Sequence, residues 1–555
     1  MQLTKRDFCT IVALSVVFFG VASWNLGMTR VPTTTWHLAG NENFCVDLGR
    51  FEPVSSVYFL VKKGFANVTV YTGSQEHWRE RGIFVLGSWV GYYGWSKIEV
   101  DRDTRFLKIN FQNASIEIAE MAVLGEDNER LAIKAITGEH PDQNLRRLID
   151  EQELVQVPPT YASETFFDEI FYVRTAENYL KLEQPFEWTH PPLGKLIIAF
   201  GILVFGYSPF GWRIMGVVFA TLMIPLIYGL GKKLFGTWIG AFASAFLLTF
   251  DFMHFTMSRM ATVDTYVVFF SLVSQLFFLI YVREVLENGW GSSTLPLFLA
   301  VSFFALGFST KWIALFGFAG QLAILLGLRL KPKLKGGWLC VKVDTLFDHP
   351  FFHLCMFVEF AMLVYFLTYI PNMLAGSTLT NVFQLQGYMF AYHSELNAGH
   401  PFASSWWTWP LILRPLWLFG SYLPGDVVST IVCMGNPAVW WVGFMFVILA
   451  VKRAIRRKDF GCVFITVLFL FQWMLYILVS RPTFIYHFYG SVPFLCLASA
   501  RFLDGCWSRK WGKAAALTYF VGVIVLFWLF YPAISGTPAP TIQIDSLKWL
   551  GSWVF

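Results

Sequence analysis

Two acids stand side by side at Asp168 and Glu169. About twenty residues later the chain reads His190-Pro191-Pro192-Leu193-Gly194-Lys195. Two consecutive prolines fix φ and make the turn rigid. The stretch 166–195, FFDEIFYVRTAENYLKLEQPFEWTHPPLGK, is flanked by apolar runs. Ionisable groups at the mouth of a hydrophobic bundle are costly and read as functional by default. A carboxylate placed there can take a proton from an attacking nucleophile, and a neighbouring acid can raise its pKa. Asp168 and Glu169 are therefore the candidate bases, and Asp264 is a candidate supporting acid. His190, Pro191 and Pro192 shape the loop.

Such a base works with groups that hold a leaving anion. Arg213, Arg259, Lys311, Arg414 and Arg481 are candidate phosphate partners, since the forked guanidinium matches phosphate oxygens. With apolar helices to hold a lipid tail, this set suits glycosyl transfer from a lipid-linked phosphate donor to a hydroxyl. Each residue also has a duller reading. An adjacent acid pair in an outer loop is usually just solvated. Asp264 can cap the apolar run that follows it. Basic residues at span ends snorkel to headgroups. Trp406, Trp407, Trp409 and Trp417 form an interfacial belt by default. No metal-ligand spacing and no Gly-rich nucleotide loop stands out.

The elements that must position these groups are membrane helices. Of 555 residues, 55% are hydrophobic and only 14% charged, against roughly a quarter charged in soluble domains. Repeated apolar runs of about 20 residues make a polytopic membrane protein. The net charge of +5 sits in short loops between these runs and does not suggest nucleic acid. The eight Cys are scattered, several of them in apolar runs (Cys355, Cys462, Cys496), and form no CxxC pair.

Residues 1–30 read as an uncleaved first span with a cytoplasmic N-terminus. Residues 31–160 alternate polar and apolar residues between Gly, Asn and Asp, the pattern of an antiparallel β-sandwich. The order of features is similar to a galactose-binding, discoidin-like module. Trp78, Trp89, Tyr92, Tyr93 and Trp95 either stack on sugar rings or fill the core or rest on the membrane. Asn67-Val-Thr and Asn113-Ala-Ser match the glycosylation sequon but carry little weight. Residues 161–212 form the first outer loop, in which the apolar run from Leu193 to Gly206, about 14 residues, suits an interfacial helix. Residues 213–371 hold spans two to seven, 372–435 a long outer loop, and 436–555 spans eight to eleven with an outer tail. The basic loops, among them RLKPKLK at 329–335 and KRAIRRK at 452–458, then fall on one side. The 31–190 region, Asp264, Lys311, the 372–435 loop and Arg481 fall on the other. The fold class is thus a membrane all-α bundle of about eleven helices with an inserted extracytoplasmic β-sandwich.

Several motifs then bring a family into view: FFDE at 166–169, HPPLGK at 190–195, Arg213, SRMATVD at 258–264, TKW at 310–312, GYMFAYHSELNAGHPFASSWWTWPL at 387–411, GNP at 435–437 and RPTFIYHFYGSVPF at 481–494. In this order the chain resembles the protein O-mannosyltransferases of the GT-C superfamily. The resemblance implies an inverting enzyme that moves mannose from a polyprenyl phosphate to Ser or Thr hydroxyls. It implies Asp168 as the base, Glu169 as its support or an acceptor contact, and Arg213 as an essential position. It places His393, Arg414, Arg481, Tyr486 and His487 where donor phosphate and sugar are expected. The implied partners are the donor, a protein acceptor and the bilayer, and family members often dimerise. No cofactor is expected, and no divalent cation is indicated.

Two departures stand out. The family often has an Asp before HPP, where this chain has Thr189. Eukaryotic members carry a MIR domain in the long loop, for which 372–435 is too short. Both favour a prokaryotic enzyme of the plasma membrane with its active face outside. The rivals are a GT-C enzyme moving another lipid-linked sugar to a lipid or cell-wall glycan and, more remotely, a non-enzymatic transporter or glycan receptor.

Overall fold

The structure is a computed structural model that describes residues 3–74, 77–138, 144–290, 292–330, 349–396 and 399–555. The expected basic loop at 329–335 lies largely outside these residues. The protein is mostly helical. Among the described residues, seven helices are long and apolar enough to cross a membrane. They are α1 (Lys5–Ser23), α4 (Pro209–Phe235), α7 (Asp264–Asn288), α10 (His349–Leu367, continuing into α11, Ile370–Leu374), α13 (Pro437–Arg457), α14 (Phe460–Met474, extended to Leu478) and α16 (Lys510–Ser535). An eighth span arises if α5 (Trp238–Thr249) and α6 (Phe252–Ser258), bent by 56° at their junction, count as one. Asp251 occupies that bend and caps α6 by accepting the backbone N–H of His254. Shorter apolar helices are α3 (Leu193–Phe205), α8 (Leu295–Phe308) and α9 (Ala314–Leu330). The remaining helices near the site are α2 (Glu169–Leu180), α12 (Leu379–Glu395) and α15 (Val492–Cys506).

Local chemistry fixes the helix ends. Thr4 and Asp7 form a reciprocal capping box at the start of α1. Asp7 is fully buried, and its carboxylate also accepts from Tyr228 Oη (2.6 Å) and Lys232 Nζ (2.9 Å) on α4. Ser208, Thr237, Asn436 and Asp459 cap α4, α5, α13 and α14 through their side chains.

A sheet domain is inserted between α1 and α2. Two long bent strands, β1 (Trp36–Gly73) and β2 (Trp78–Gly125), pair antiparallel, and β3 (Arg130–Leu131) and β4 (Ala135–Gly138) complete the order β3-β2-β1-β4. Because both strands fold back, Phe59 pairs with Ser96 and with Met121, and Val68 with Phe84 and with Phe111. Alternate residues such as Val57, Phe59, Leu107, Ile109 and Phe111 face an apolar core of their own. Of the five aromatics that could stack on sugar, Tyr92 and Tyr93 are instead buried against the helical body, Trp78 and Trp95 are half-buried, and Trp89 is 74% exposed.

The 372–435 stretch is not a plain loop. It holds α12 and a hairpin of β5 (Leu416–Leu423) and β6 (Val427–Cys433), with β7 (Ala539–Pro540) added from the C-terminal region. Its abundant aromatic and polar residues masked these elements. Helix α12 buries only Val382 and Met389, so it lies over the body as a surface helix.

Candidate active site

The loop before α2 carries the acid pair, and the structure separates the two acids. Phe167 adopts a left-handed conformation (φ 50°), rare for a residue with a side chain. It turns the chain so that neighbouring acids point to different places. Glu169 goes inward and is fully buried. Its Oε1 accepts Arg213 Nε (2.8 Å) and the Ala261 N–H (2.9 Å), and its Oε2 accepts Arg213 Nη2 (2.7 Å) and the Phe166 N–H (3.2 Å). Asp168 is half-buried at the N-terminal end of α2, and its side chain has no hydrogen bond or ion pair among the described residues. Burial pushes its carboxyl up to about 7, with Asp264 and Glu187 adding to the rise and Lys311 and Arg481 opposing it.

Two of the expected phosphate partners are placed elsewhere. Arg213 uses its remaining N–H groups on the carbonyls of Leu26, Tyr161 and Glu164. It knits α1, the 160–169 loop and α4 together and leaves nothing for a ligand. Arg259 is similarly spent on the carbonyls of Ala22, Trp24, Asn25 and Ser535. Both buried guanidiniums act as hubs for interior carbonyls, and those of Ala22, Trp24 and Ser535, held by Arg259, lie where α1 and α16 end and need partners. Arg414 is exposed and donates to the Pro401 carbonyl.

The other predicted residues converge. A cavity of about 350 Å³ is lined by Lys311, His190, His393, Arg481 and His487 together with Trp312, Ile313, Leu315, Phe316, Phe390, Tyr476, Leu478 and Val479. Leu315, Phe390 and Leu478 are exposed, so the apolar lining opens at the protein surface. Lys311 pairs with Asp264 (2.8 Å) and stands 5.3 Å from the Tyr486 ring centre. Asp264 thus serves Lys311, and its side chain makes no capping bond to α7. Arg481 has no partner among the described residues. His393 Nε2–H donates to the Thr189 carbonyl (2.7 Å). His487 Nδ1 accepts the Phe484 N–H (3.1 Å). The second nitrogens of both rings, His393 Nδ1 and His487 Nε2, are buried and unpartnered. Burial, with Lys311 and Arg481, holds the His487 imidazole well below its ordinary pKa, and burial chiefly brings His393 down to about 4. A cavity edged by Lys311, Arg481 and imidazole nitrogens suits a phosphate, and the apolar lining suits a hydrocarbon tail.

Sequence reasoning missed Glu187. Its carboxylate, 8% exposed, takes Lys195 Nζ (2.6 Å), His190 Nδ1 (3.1 Å), the Thr189 N–H (2.7 Å) and the Thr189 hydroxyl. Glu187 thus brings a carboxylate to both Thr189 and His190. The available signal was a carboxylate and an ammonium eight residues apart in otherwise apolar surroundings.

The sheet domain is tied to the same loop. Glu164 Oε2 accepts the Trp95 N–H (2.8 Å), the Thr165 N–H donates to Tyr93 O (3.0 Å), and Thr165 Oγ1 donates to Tyr92 O. Lys62 and Tyr92 both bind Glu177 on α2, whose first turn follows Asp168.

Comparison with known proteins agrees with this arrangement. Residues 189–347 match the family described as dolichyl-phosphate-mannose-protein mannosyltransferase, and residues 378–553 match the C-terminal four-span region of protein O-mannosyltransferase. The polyprenol-phosphate-mannose–protein mannosyltransferase of Corynebacterium glutamicum is 26% identical over 435 residues, covering 66% of this chain and 81% of that protein. Its counterpart in Mycolicibacterium smegmatis is 27% identical over 467 residues, covering 71% and 89%. The S. cerevisiae Pmt1-Pmt2 complex bound to the sugar donor superposes with a TM-score of 0.61 at 13% identity, covering 70% of this chain and 89% of that one. With these matches, the multi-pass bundle is a membrane glycosyltransferase of the GT-C type. Within that class, the chain belongs to the protein O-mannosyltransferase family.

Proposed function

We propose that this protein transfers mannose from a polyprenyl-phosphate donor to Ser or Thr hydroxyls of proteins, with inversion at the anomeric carbon. The observation that carries the reading is the Asp168 carboxyl, without a hydrogen bond or ion pair among the described residues, near enough to feel the charges of Lys311 and Arg481, which line a cavity together with apolar residues. A base works best when its pKa lies near the working pH. In the proposed step the acceptor hydroxyl gives its proton to Asp168 while its oxygen attacks C1 of the β-linked mannosyl phosphate. The C1–O bond to phosphate breaks with its electron pair on the phosphate oxygen. Lys311 and Arg481 hold that growing charge. The products are an α-mannoside and polyprenyl phosphate. Glu169 and Arg213 position the loop, and Asp264 positions Lys311.

The bent pair, α8, α9 and α15 bring the helical passes to eleven in this reading, with α3 interfacial and the sheet domain folded as a sandwich. The N-terminus is then cytoplasmic, and the site faces outward across the plasma membrane of a prokaryote. No metal enters this chemistry, because Lys311, Arg481 and the imidazoles supply the phosphate contacts. Incubation with radiolabelled polyprenyl-phosphate-mannose and a Ser/Thr-rich peptide tests the reading. α-Linked mannosyl peptide is expected. Label appearing only in added lipid or glycan acceptors would refute the protein acceptor, and β-linked product would refute inversion.

A further inference from the structure

His190 lies at the cavity with a carboxylate behind it. The rigid 190–192 turn is fixed on one side by the Leu193 N–H donating to Ser309 O (3.1 Å). On the other side Lys195 Nζ ties together Glu187 Oε2 (2.6 Å), Glu187 O (2.9 Å) and His190 O (2.7 Å). Lys195 is 1% exposed. Paired with this ammonium, Glu187 is held ionised: although burial alone would raise its pKa, Lys195 and His190 bring it well below the usual carboxylate range. An ionised carboxylate at 3.1 Å keeps the His190 Nδ1 proton in place. The ring is thereby oriented with Nε2 on its far side. That nitrogen is buried, has no partner among the described residues, and belongs to a residue lining the cavity.

We propose that His190 donates a proton from Nε2 to the departing phosphate oxygen, with Glu187 as the positioning residue that orients the ring and stabilises its charged form. The inference rests on the mannosyl-transfer reading above and adds the acid that its base lacks. As C1 bonds to the acceptor oxygen, the acceptor proton passes to Asp168. The C1–O bond breaks with its electron pair on the phosphate oxygen, which takes the Nε2 proton. One proton is bound and one released by the protein, and polyprenyl phosphate leaves as a monoanion beside a neutral imidazole.

The groups around the ring fit this role. Glu187, Thr189 and Lys195 lie on its own segment. Tyr172 of α2 stands at 6.0 Å between ring centres, and His393 of α12 at 5.3 Å. Lys311, Arg481 and His487 line the same cavity. Burial lowers the His190 pKa, Glu187 opposes this, and Lys311 and Lys195 add to the lowering. A bound phosphate anion brings the opposite charge and favours the imidazolium, so protonation accompanies donor binding.

The test is a pH profile of transfer in the full-length, detergent-solubilised protein for wild type, His190→Gln and Glu187→Gln, with donor affinity measured alongside. The wild type is expected to lose kcat above the pH at which donor-bound His190 deprotonates. His190→Gln is expected to lower kcat on the order of a hundredfold, the scale of a lost general acid, and to abolish that alkaline limb. Glu187→Gln is expected to retain the limb but shift it to lower pH. Retained donor binding shows that the variants are folded. Unaltered kcat in His190→Gln would overturn the proposal, as would a uniform loss in both variants with the wild-type profile. Absence of transfer by the wild type itself would instead overturn the mannosyltransferase reading on which it rests.

Discussion

Substitution of Arg213 separates two accounts of an essential arginine. If Arg213 held donor phosphate, Arg213→Met would raise the donor KM and leave stability alone. The structure gives the opposite expectation. The guanidinium makes five hydrogen bonds within the protein, two of them to a Glu169 that is itself fully buried. Removing one partner of a buried ion pair costs roughly 3–5 kcal/mol, because the other charge is left uncompensated. Three carbonyls also lose their donor, each a further cost of about 1 kcal/mol or more. Arg213→Met should therefore lower the thermal midpoint in detergent by several degrees. The double variant Arg213→Met/Glu169→Leu should recover much of that loss, since no bare carboxylate remains, and the coupling should be on the order of a few kcal/mol in a double-mutant cycle. Fluorescence-detected unfolding and donor KM, measured on the same preparations, decide the matter. A variant of wild-type stability with a donor KM raised tenfold or more would refute the positioning role.

Further expectations concern the base, the sheet domain and the metal. Asp168 titrates near 7 in the folded protein against about 3.8 ordinarily, so transfer should rise with pH through about 7 as the base ionises. The same shift means that the folded state holds more protons than the unfolded one between those values, so stability falls as pH rises across that window. Asp168→Asn should accordingly raise the thermal midpoint at pH 8 and change it little at pH 4, read by the same unfolding assay. Thr165→Val removes the hydroxyl that donates to Tyr92 O. At about 1 kcal/mol for the bond, kcat should fall about fivefold with the acceptor KM nearly unchanged if the sheet domain steadies the Asp168 loop. Transfer should persist in excess EDTA, measured by incorporation of labelled mannose, because side-chain cations hold the phosphate.

The helical bundle was legible because long apolar runs have few other uses. The sheet domain was legible because β1 and β2 alternate over a one-sided core. The acid pair stood out by type and place, and the resemblance implied different roles for Asp168 and Glu169, but the geometry that separates the two was not legible. It depends on the left-handed Phe167 and on Arg213, 44 residues away from Glu169. For the same reason Arg213 and Arg259 read as phosphate ligands. Sequence records that an arginine stands near a span end, not that interior carbonyls have already taken its donors. Lys311 and Asp264 were both singled out, whereas their 2.8 Å pairing emerged only from packing α7 beside α8 and α9. Glu187 was not legible because its ties to Thr189, His190 and Lys195 arise only when the 187–195 turn folds back on itself.

The central claim is that Asp168 takes the acceptor proton during mannosyl transfer, and Asp168→Asn tests it most directly because the amide keeps the shape and removes the basicity. Initial rates of mannose transfer to a Ser/Thr-rich peptide, compared at equal donor occupancy, should fall on the order of a hundredfold or more in the variant. Donor binding and folding should be retained. A variant that transfers at the wild-type rate, with donor equally bound, would contradict the account.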